Sequence, residues 1–261
     1  MNKELTDILL GFDGISLSEM DAVSLMRRTD TKFVISKDIL PIIISKLSRN
    51  YRLLYVNEVY SNKYNTLYYD TPELKFFSQH QSGKLNRYKV RSRKYVESET
   101  SFLEIKFKNN KGKTIKTRIE KDNIERELSA SSMGFIRKKR ELSGMDLVAK
   151  QWNNFSRLTF VGKEIQERVT IDYGLEFKND STSVSVPNLI IVEIKQEKYN
   201  VASPFIQSLR KNKIQPMRFS KYCIGTILLH QSEGGAIINE LKWNRFKSKI
   251  RAVKKIQNGI N

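Results

Sequence analysis

Residues 86–95 read NRYKVRSRKY, and this stretch decides how the chain folds. Successive side chains of an extended strand point to opposite sides, so every second residue shares a face. Lysine and arginine on a solvated sheet edge discourage aggregation, which gives one interpretation of the stretch. Cations inside a fold would instead form a track for a polyanion, and repetition on other strands decides between the two. The cationic face carries Arg87, Lys89, Arg91 and Arg93.

The same alternation of charged and aliphatic residues recurs along the chain. At least six runs carry charged, mostly cationic residues on one face and aliphatic residues on the other. Residues 109–112 are a turn signal between two of these runs, which therefore predict a hairpin. The runs span residues 28–35, 86–95, 101–108, 114–120, 155–161, 165–172 and 189–195. Two further β-rich runs span residues 51–60 and 64–70.

A recurrent cationic face favours a closed sheet over an open one. The wet face of an open antiparallel sheet ordinarily carries neutral polar residues and mixed charges. If helices cover the apolar face, the charged face lines the interior, and a barrel of about eight strands can enclose a ligand. Cations confined together repel one another, so such an interior predicts a highly charged anionic ligand.

Composition also favours an anionic partner and excludes several kinds of site. The net charge is +19, which is typical of proteins that meet nucleic acid, a membrane surface or phosphate-rich small molecules. One cysteine and two histidines exclude an intramolecular disulfide, a cysteine-based zinc site and a histidine-rich metal site. The N-terminus lacks the order of a signal peptide, and the apolar runs are too short to span a bilayer. We expect an intracellular, cytoplasmic protein.

Helices are predicted between the strands, and a basic segment follows the last one. We expect one domain over residues 1–235, with a short N-terminal helix, and a tail over 236–261. From residue 242 onward the chain carries seven lysines and arginines and no acid. This tail predicts an amphipathic helix or a disordered segment that could touch a membrane surface or an acidic protein. The predicted helices span residues 18–27, 37–49, 73–81, 203–212 and the apolar run up to 229.

Seven short motifs follow one another in order: RTDTK at 28–32, YYDT at 68–71, RYKVRSR at 87–93, EIK at 104–106, ERVTID at 167–172, VEIK at 192–195 and FSKY at 219–222. Together they resemble the catalytic domain of the vacuolar transporter chaperone family, the polyphosphate polymerase branch of the triphosphate tunnel metalloenzymes. The resemblance covers residues 20–229. It implies an α+β fold, an eight-stranded antiparallel β-barrel tunnel with helices packed outside, which binds nucleotide triphosphate or polyphosphate with Mn²⁺ or Mg²⁺.

The resemblance also implies roles for individual residues. It implies that Glu193 binds the divalent cation, with Glu104 as the second candidate ligand. It also implies that the Ser220 hydroxyl donates a hydrogen bond to a phosphate. From the residues alone, Glu193 and Lys195 equally predict an ion pair, and Ser220 equally predicts a helix cap. The phosphate contacts implied by position are Lys32, Arg91, Arg93, Lys106, Arg118, Arg168 and Lys221. Strand parity adds Arg87, Lys89, Lys116, Arg157 and Lys195 as phosphate-binding candidates.

Other polar residues receive no role in chemistry from the sequence. We expect Asp70 and Asp172 to serve turns and strand ends, and His80 and His230 to lie on the surface. Cys223 follows a tyrosine in an apolar helix and is expected in the core.

One departure from the hydrolytic members of the superfamily affects the expected reaction. Those enzymes open with a Glu-x-Glu-x-Lys strand, whereas this chain has Arg28, Asp30 and Lys32. Loss of an acid there disfavours simple hydrolysis of triphosphate. The resemblance implies a polymerase that transfers the γ-phosphate of ATP to a growing inorganic polyphosphate chain. The alternatives are a metal-dependent tripolyphosphatase or nucleoside triphosphatase of the same fold, and a non-enzymatic binder of RNA or polyphosphate.

The expected position of the aromatic residues argues against the last alternative. RNA-binding proteins commonly place aromatic platforms beside basic residues. Here the aromatics are expected mainly on the strand faces opposite the cations, and no DNA partner is expected.

Overall fold

A computed structural model describes residues 3–22, 29–233 and 244–259 of the chain. The strands within these ranges belong to one sheet, and its helices are mostly short. The strands are β1 Asp13–Ile15, β2 Thr29–Ser36, β3 Tyr51–Leu54, β4 Asn62–Asp70, β5 Arg87–Tyr95, β6 Thr100–Lys108, β7 Thr114–Lys121, β8 Val148–Gly162, β9 Glu167–Lys178, β10 Ser183–Val186 and β11 Leu189–Gln196. The helices are α1 Lys3–Leu10, α2 Leu17–Ala22, α3 Leu40–Ile44, α4 Lys75–Ser82, α5 Ala130–Arg137, α6 Pro204–Lys211, α7 Lys221–Ser232 and α8 Asn244–Gln257, with 3₁₀ turns at Lys37–Ile39 and Arg140–Leu142.

Eight strands form one continuous antiparallel path in the order β2-β11-β9-β8-β4-β5-β6-β7. The short strand β10 extends β9, while β3 pairs with β8 and runs parallel to β1. Within the described ranges no ladder joins β7 to β2. The sheet nevertheless curls, since the segment 217–220 contacts both β2 and β5.

The segment before α7 bridges the two sides of the curled sheet. The backbone N–H of Met217 donates to the carbonyl of Lys32 at 2.7 Å. A few residues later, Ser220 Oγ accepts a hydrogen bond from Lys89 Nζ on β5 at 2.9 Å. The molecule is therefore an eight-stranded antiparallel tunnel, which confirms the fold predicted from the sequence.

Helices cover the apolar outer face, as predicted. Aliphatic and aromatic side chains of β2, β8, β9 and β11 pack against α1, α3 and α6, with Phe33, Val192 and Phe205 among the fully buried residues. On the other side, β4, β5 and β6 pack against α5 and the second 3₁₀ turn through residues such as Val90, Leu103 and Ile136. These two layers supply the apolar burial that holds the sheet in its curved form.

Helix α7 is the exception, because it lies on the charged face of the sheet. Its Tyr222 stacks on Tyr68 of β4 with ring centroids 5.0 Å apart. Gly225 approaches β8 and β9 so closely that a Cβ would lie 2.3 Å from Gln151 and 2.4 Å from Phe177. A side chain at this position would require Gln151, Phe177 or the helix itself to shift. The helix thus fills part of one end of the tunnel.

The structure corrects several predicted element bounds. The helix expected over 37–49 is a 3₁₀ turn followed by α3, which ends at Ile44 after a run of β-branched isoleucines that lose rotamer freedom in a helix. The helix expected over 18–27 is described only as Leu17–Ala22, and residues 23–28 lie outside the described ranges. Strand β8 has 15 residues, about twice the expected length. Strands β1 and β10 were not predicted.

The basic C-terminal segment forms an amphipathic helix, one of the two expected states. In α8 the side chains of Phe246, Ile250 and Val253 are buried in the same apolar cluster as α7. At its end, Gln257 accepts a hydrogen bond from the Asn188 backbone N–H at 3.1 Å. Lys247, Arg251, Lys254 and Lys255 remain exposed on its outer face.

Candidate active site

The ladder registers place the predicted cations on one face of the sheet, called here the lumen face. In one row across the strands, Arg91 lies opposite Glu104, which lies opposite Arg118. The next row aligns Lys89, Lys106 and Lys116 in the same way. At the other side of the tunnel Lys32 is opposite Glu193, and Lys195 is opposite Arg168. Arg28, the remaining cation of the first motif, lies outside the described residues.

Glu104 is a fully enclosed carboxylate on β6 that holds two cations. Its Oε2 accepts from Arg91 Nε at 2.7 Å and lies 2.6 Å from Arg91 Nη2, and its other oxygen pairs with Lys116. Although burial raises the pKa of Glu104, the charges of Arg91, Arg93 and Lys116 lower it to about 2. Arg91 and Lys116 therefore keep the Glu104 carboxylate ionised, and Glu104 stays the second candidate metal ligand.

Asp172 forms a second such centre on β9. Arg157 donates hydrogen bonds to the Asp172 carboxylate from Nε at 2.5 Å and from Nη2 at 2.8 Å. The Lys221 ammonium forms an ion pair with the same carboxylate. Burial opposes ionisation of Asp172, but Arg157 and Lys221 hold its pKa below the usual range. The expectation that Asp172 merely serves a strand end was therefore wrong. In the sequence, the two-residue spacing of Arg168, Thr170 and Asp172 indicates that Asp172 shares their face of the strand, which is the lumen face.

Glu193 is the predicted metal ligand and lies between two lysines. Its carboxylate oxygens are 3.0 Å from Lys195 Nζ and 3.6 Å from Lys32 Nζ. Despite burial, Lys195, Lys32 and Arg157 lower the pKa of Glu193 well below its ordinary value, so the carboxylate is ionised. In the described part of the chain, no three His, Cys, Asp or Glu side chains are grouped as a metal site. The Glu193 carboxylate fits a hard divalent cation only if phosphate oxygens complete the coordination shell of the ion. Mg²⁺ is commonly bound in this way, by one or two carboxylates together with substrate phosphates.

The N-terminus of α7 points its first residues into the lumen. Ser220 caps the helix, because its Oγ accepts from the Cys223 backbone N–H at 3.3 Å. Lys32 Nζ donates to the Phe219 carbonyl at 3.3 Å, and Lys89 donates to Ser220 as described above. Free N–H groups and the helix dipole favour anions at such an end. The predicted pair Ser220 and Lys221 is thereby brought between the two sides of the tunnel.

The pKa values of several lysines in the tunnel are lowered. Enclosure in the tunnel, together with Arg91 and Lys32, lowers the pKa of Lys106 to about 8, although water still reaches its side chain. Burial also lowers the pKa of Lys221 to about 8 against the opposing effect of Asp172. The pKa values of Lys89 and Lys195 are lowered too, in each case chiefly by burial. A bound polyanion would relieve this repulsion.

Aromatic residues share the lumen face with the cations, contrary to expectation. Tyr64 and Phe155 stack with centroids 5.1 Å apart, and the Arg157 guanidinium lies 4.9 Å from the Tyr64 ring. Arg93 lies over the same two rings, at 5.4 and 5.6 Å. Tyr68 is buried among Arg91, Arg93 and Lys89; burial opposes its ionisation, but these charges lower its pKa to about 7. In the sequence, the period-two spacing of Tyr64, Thr66 and Tyr68 indicates that these side chains share one face of β4.

The two mouths of the tunnel differ in the side chains that they carry. The basic mouth comprises Arg87 at the start of β5, Lys108 at the end of β6, and Arg218; burial, Arg87 and Arg218 lower the pKa of Lys108. The aromatic mouth comprises Tyr95 at the end of β5, Phe102 near the start of β6, and Arg118 of β7.

The residues expected to be uninvolved divide into two groups. Asp70 does serve a strand end, since it accepts from the N–H groups of Phe76 and Phe77 at the start of α4, and Cys223 is buried. His80 and His230 are half-buried rather than on the surface. Burial and the nearby Lys89 and Arg87 lower the pKa of His80 to about 2, so it is neutral.

A family model described as the VTC domain matches residues 27–230. Among solved structures, the chain is similar to the putative adenylyl cyclase HpAC1 from Hippeastrum, for which a dominant triphosphatase activity is described, at 16% identity and a TM-score of 0.49, covering 82% of this chain and 99% of that one. It is also similar to the PH1819 protein from Pyrococcus horikoshii OT3, at 11% identity and a TM-score of 0.43, covering 79% and 99%. No curated protein sequence matches the chain. Among the described helices, none has the length and apolar character needed to cross a membrane.

Proposed function

Because this chain belongs to the VTC domain family, we propose that it is a polyphosphate polymerase that transfers the γ-phosphate of ATP to a growing inorganic polyphosphate chain. The observation that carries the proposal is the convergence of Lys32, Lys89, Lys106 and Lys221 at the N-terminus of α7. These ammonium groups come from four separate elements and repel one another, so they form a site that a chain of phosphates stabilises.

The reaction needs little from the protein beyond position and charge. A terminal oxygen of the acceptor chain attacks the γ-phosphorus of ATP, and the bond from that phosphorus to the β-phosphate oxygen breaks, so ADP leaves. The lysines and arginines hold donor and acceptor in line and neutralise the charge that spreads over the phosphoryl oxygens. The Ser220 hydroxyl donates to a phosphate oxygen while its own oxygen caps α7.

Glu193 is the residue that would hold a divalent cation, Mn²⁺ or Mg²⁺, together with phosphate oxygens. When bound there, such an ion supplies charge neutralisation of the transferring group. Lys32 and Lys195 keep Glu193 ionised and oriented in the meantime.

Hydrolysis is the second candidate, and the state of the carboxylates argues against it. A hydrolase must orient water against the γ-phosphate, and a carboxylate with a free oxygen commonly does so. Glu104, Asp172 and Glu193 are each engaged by two cations. Cations that hold a phosphate chain as the nucleophile suit transfer better than hydrolysis.

The test is product analysis of purified protein with ATP and manganese. Gel electrophoresis of polymer length runs beside a free-phosphate assay. We expect polymer and ADP from the wild type, and loss of the metal-dependent synthesis in Glu193→Gln. Synthesis should be unchanged in Lys46→Met, which alters an exposed outer lysine. Stoichiometric free phosphate without polymer would favour the hydrolase.

A further inference from the structure

The aromatic mouth has the chemistry of a base-binding site. The rings of Tyr95 and Phe102 meet edge to face with centroids 6.0 Å apart, and the Arg118 guanidinium lies 4.2 Å from the centre of Phe102. Both rings are half-buried, and Arg118 is exposed. Aromatic rings and guanidinium planes are the groups on which proteins stack nucleobases.

Glu120 adds an acceptor at the same mouth. It lies opposite Phe102 in the ladder between β6 and β7 and is exposed. A carboxylate at this position can accept hydrogen bonds from ribose hydroxyls or from an exocyclic amine. Inorganic polyphosphate offers neither group and no surface for stacking, whereas a nucleoside triphosphate offers all three.

We propose that the aromatic mouth binds the base and ribose of a nucleoside triphosphate, so that the nucleotide enters there and the polymer leaves through the basic mouth. This inference rests on the proposed function and adds a direction to it. The pair formed by Tyr95 and Phe102 stacks the base, with Arg118 beside it.

Spacing along β6 agrees with this direction. Residues two apart on one strand face are about 7 Å apart. Phe102 is therefore one step from the row of Arg91 and Glu104, and two steps from the row of Lys89 and Lys106. A base at Phe102 places its phosphate tail along these two rows, and the γ-phosphate falls near Lys106 and the start of α7.

The opposite mouth suits the product. Arg87, Lys108 and Arg218 meet there and repel one another. An anionic chain that emerges past Lys89 and Lys106 would pass these cations next. After transfer, ADP leaves by the mouth through which ATP entered, while the polymer stays bound on the other side.

The test compares the binding of ATP and of inorganic tripolyphosphate by isothermal titration calorimetry. Phe102→Leu keeps apolar bulk but removes the ring, and Tyr95→Leu is the second variant. The matched control is Phe107→Leu, which changes a half-buried ring on the same strand but on the outer face, where it stacks on Tyr88. Circular dichroism establishes that each variant is folded.

We expect each mouth variant to weaken ATP binding at least about fivefold, as loss of one stacking partner does, and to leave tripolyphosphate binding unchanged. The control variant should keep the wild-type ratio of the two affinities. An unchanged ratio in both mouth variants, or an equal loss for both ligands, would overturn the base site alone. Failure of the wild type to bind tripolyphosphate would instead remove the proposed function, and the base site with it.

Discussion

Lys89 on β5 donates a 2.9 Å hydrogen bond to Ser220 at the N-cap of α7. The same hydroxyl oxygen accepts from the Cys223 N–H, so its proton remains available for an acceptor. The two interpretations of Ser220, a helix cap and a phosphate donor, are therefore compatible. The contact also fixes the start of α7 against the basic strand, on the far side of the tunnel from Lys32.

Ser220→Ala should lower both helix stability and phosphate affinity. Loss of an N-cap costs about 1 kcal/mol, and loss of a hydrogen bond to a charged phosphate weakens tripolyphosphate binding about tenfold. Urea unfolding and calorimetric titration measure the two effects. Ser129→Ala removes the N-cap of α5, outside the lumen, and should cost similar stability with unchanged affinity. Equal affinities in the two variants would contradict a role for Ser220 in binding.

Asp172→Asn should destabilise the protein by about 3–5 kcal/mol, because it leaves Arg157 and Lys221 without their buried counter-charge. Tripolyphosphate should raise the melting temperature more in this variant than in the wild type, since the ligand replaces the missing negative charge. The control is Asp180→Asn, which breaks an exposed pair with Arg126 and should cost less than about 1 kcal/mol. A variant as stable as the control would show that the buried pair is unimportant.

Lys106 should make the stability of the ligand-free protein rise with pH. Its pKa is about 8 in the native state, against the ordinary lysine value of 10.5 that applies to an unfolded chain. Between these values the unfolded state binds more protons, so stability increases as pH rises through this window. Lys221 and Tyr68, whose pKa values are also lowered, act in the same direction.

Lys106→Met isolates this contribution. The stability difference between wild type and variant, from urea unfolding at pH 7.5 to 10, should shift in favour of the wild type as pH rises. Saturating tripolyphosphate should reduce the pH dependence, because a bound anion restores the proton affinity of the lysine. A difference that stays constant with pH would contradict the crowding of cations around Lys106.

The side chains that share each face of β5, β6 and β7 could be predicted from the sequence, because charge and apolarity alternate there without interruption. Strand β8 was predicted too short, since residues 148–154 carry uncharged polar groups on the lumen face, such as Gln151 and Asn153. The ion pairs of Asp172 join residues that are distant in sequence, so only the folded sheet brings them together.

The position of α7 on the lumen face was missed, although the sequence contained a signal. The helix is apolar on all sides, as helices enclosed on all sides are. The division of the chain at residue 235, the cytoplasmic location and the roles of the phosphate-contacting residues stay predictions.

Removal of residues 244–261 should destabilise the fold while leaving the chemistry in place. Helix α8 buries Phe246, Ile250 and Val253, and each such side chain stabilises the native state by up to about 1.5–3 kcal/mol. The melting temperature should fall by many degrees, but the folded fraction should still synthesise polymer at 15 °C. Lys254→Ala, on the exposed face, should melt like the wild type. A truncated protein that is folded but inactive would show that α8 shapes the tunnel.

Calorimetric titration of tripolyphosphate into wild type, Lys89→Met and Lys46→Met tests most directly whether phosphate binds in the tunnel. Lys89 faces the lumen beside Ser220, whereas Lys46 is exposed after α3 on the outside. We predict at least about a tenfold loss of affinity for Lys89→Met and none for Lys46→Met. Equal affinities for all three proteins would contradict binding of phosphate in the tunnel.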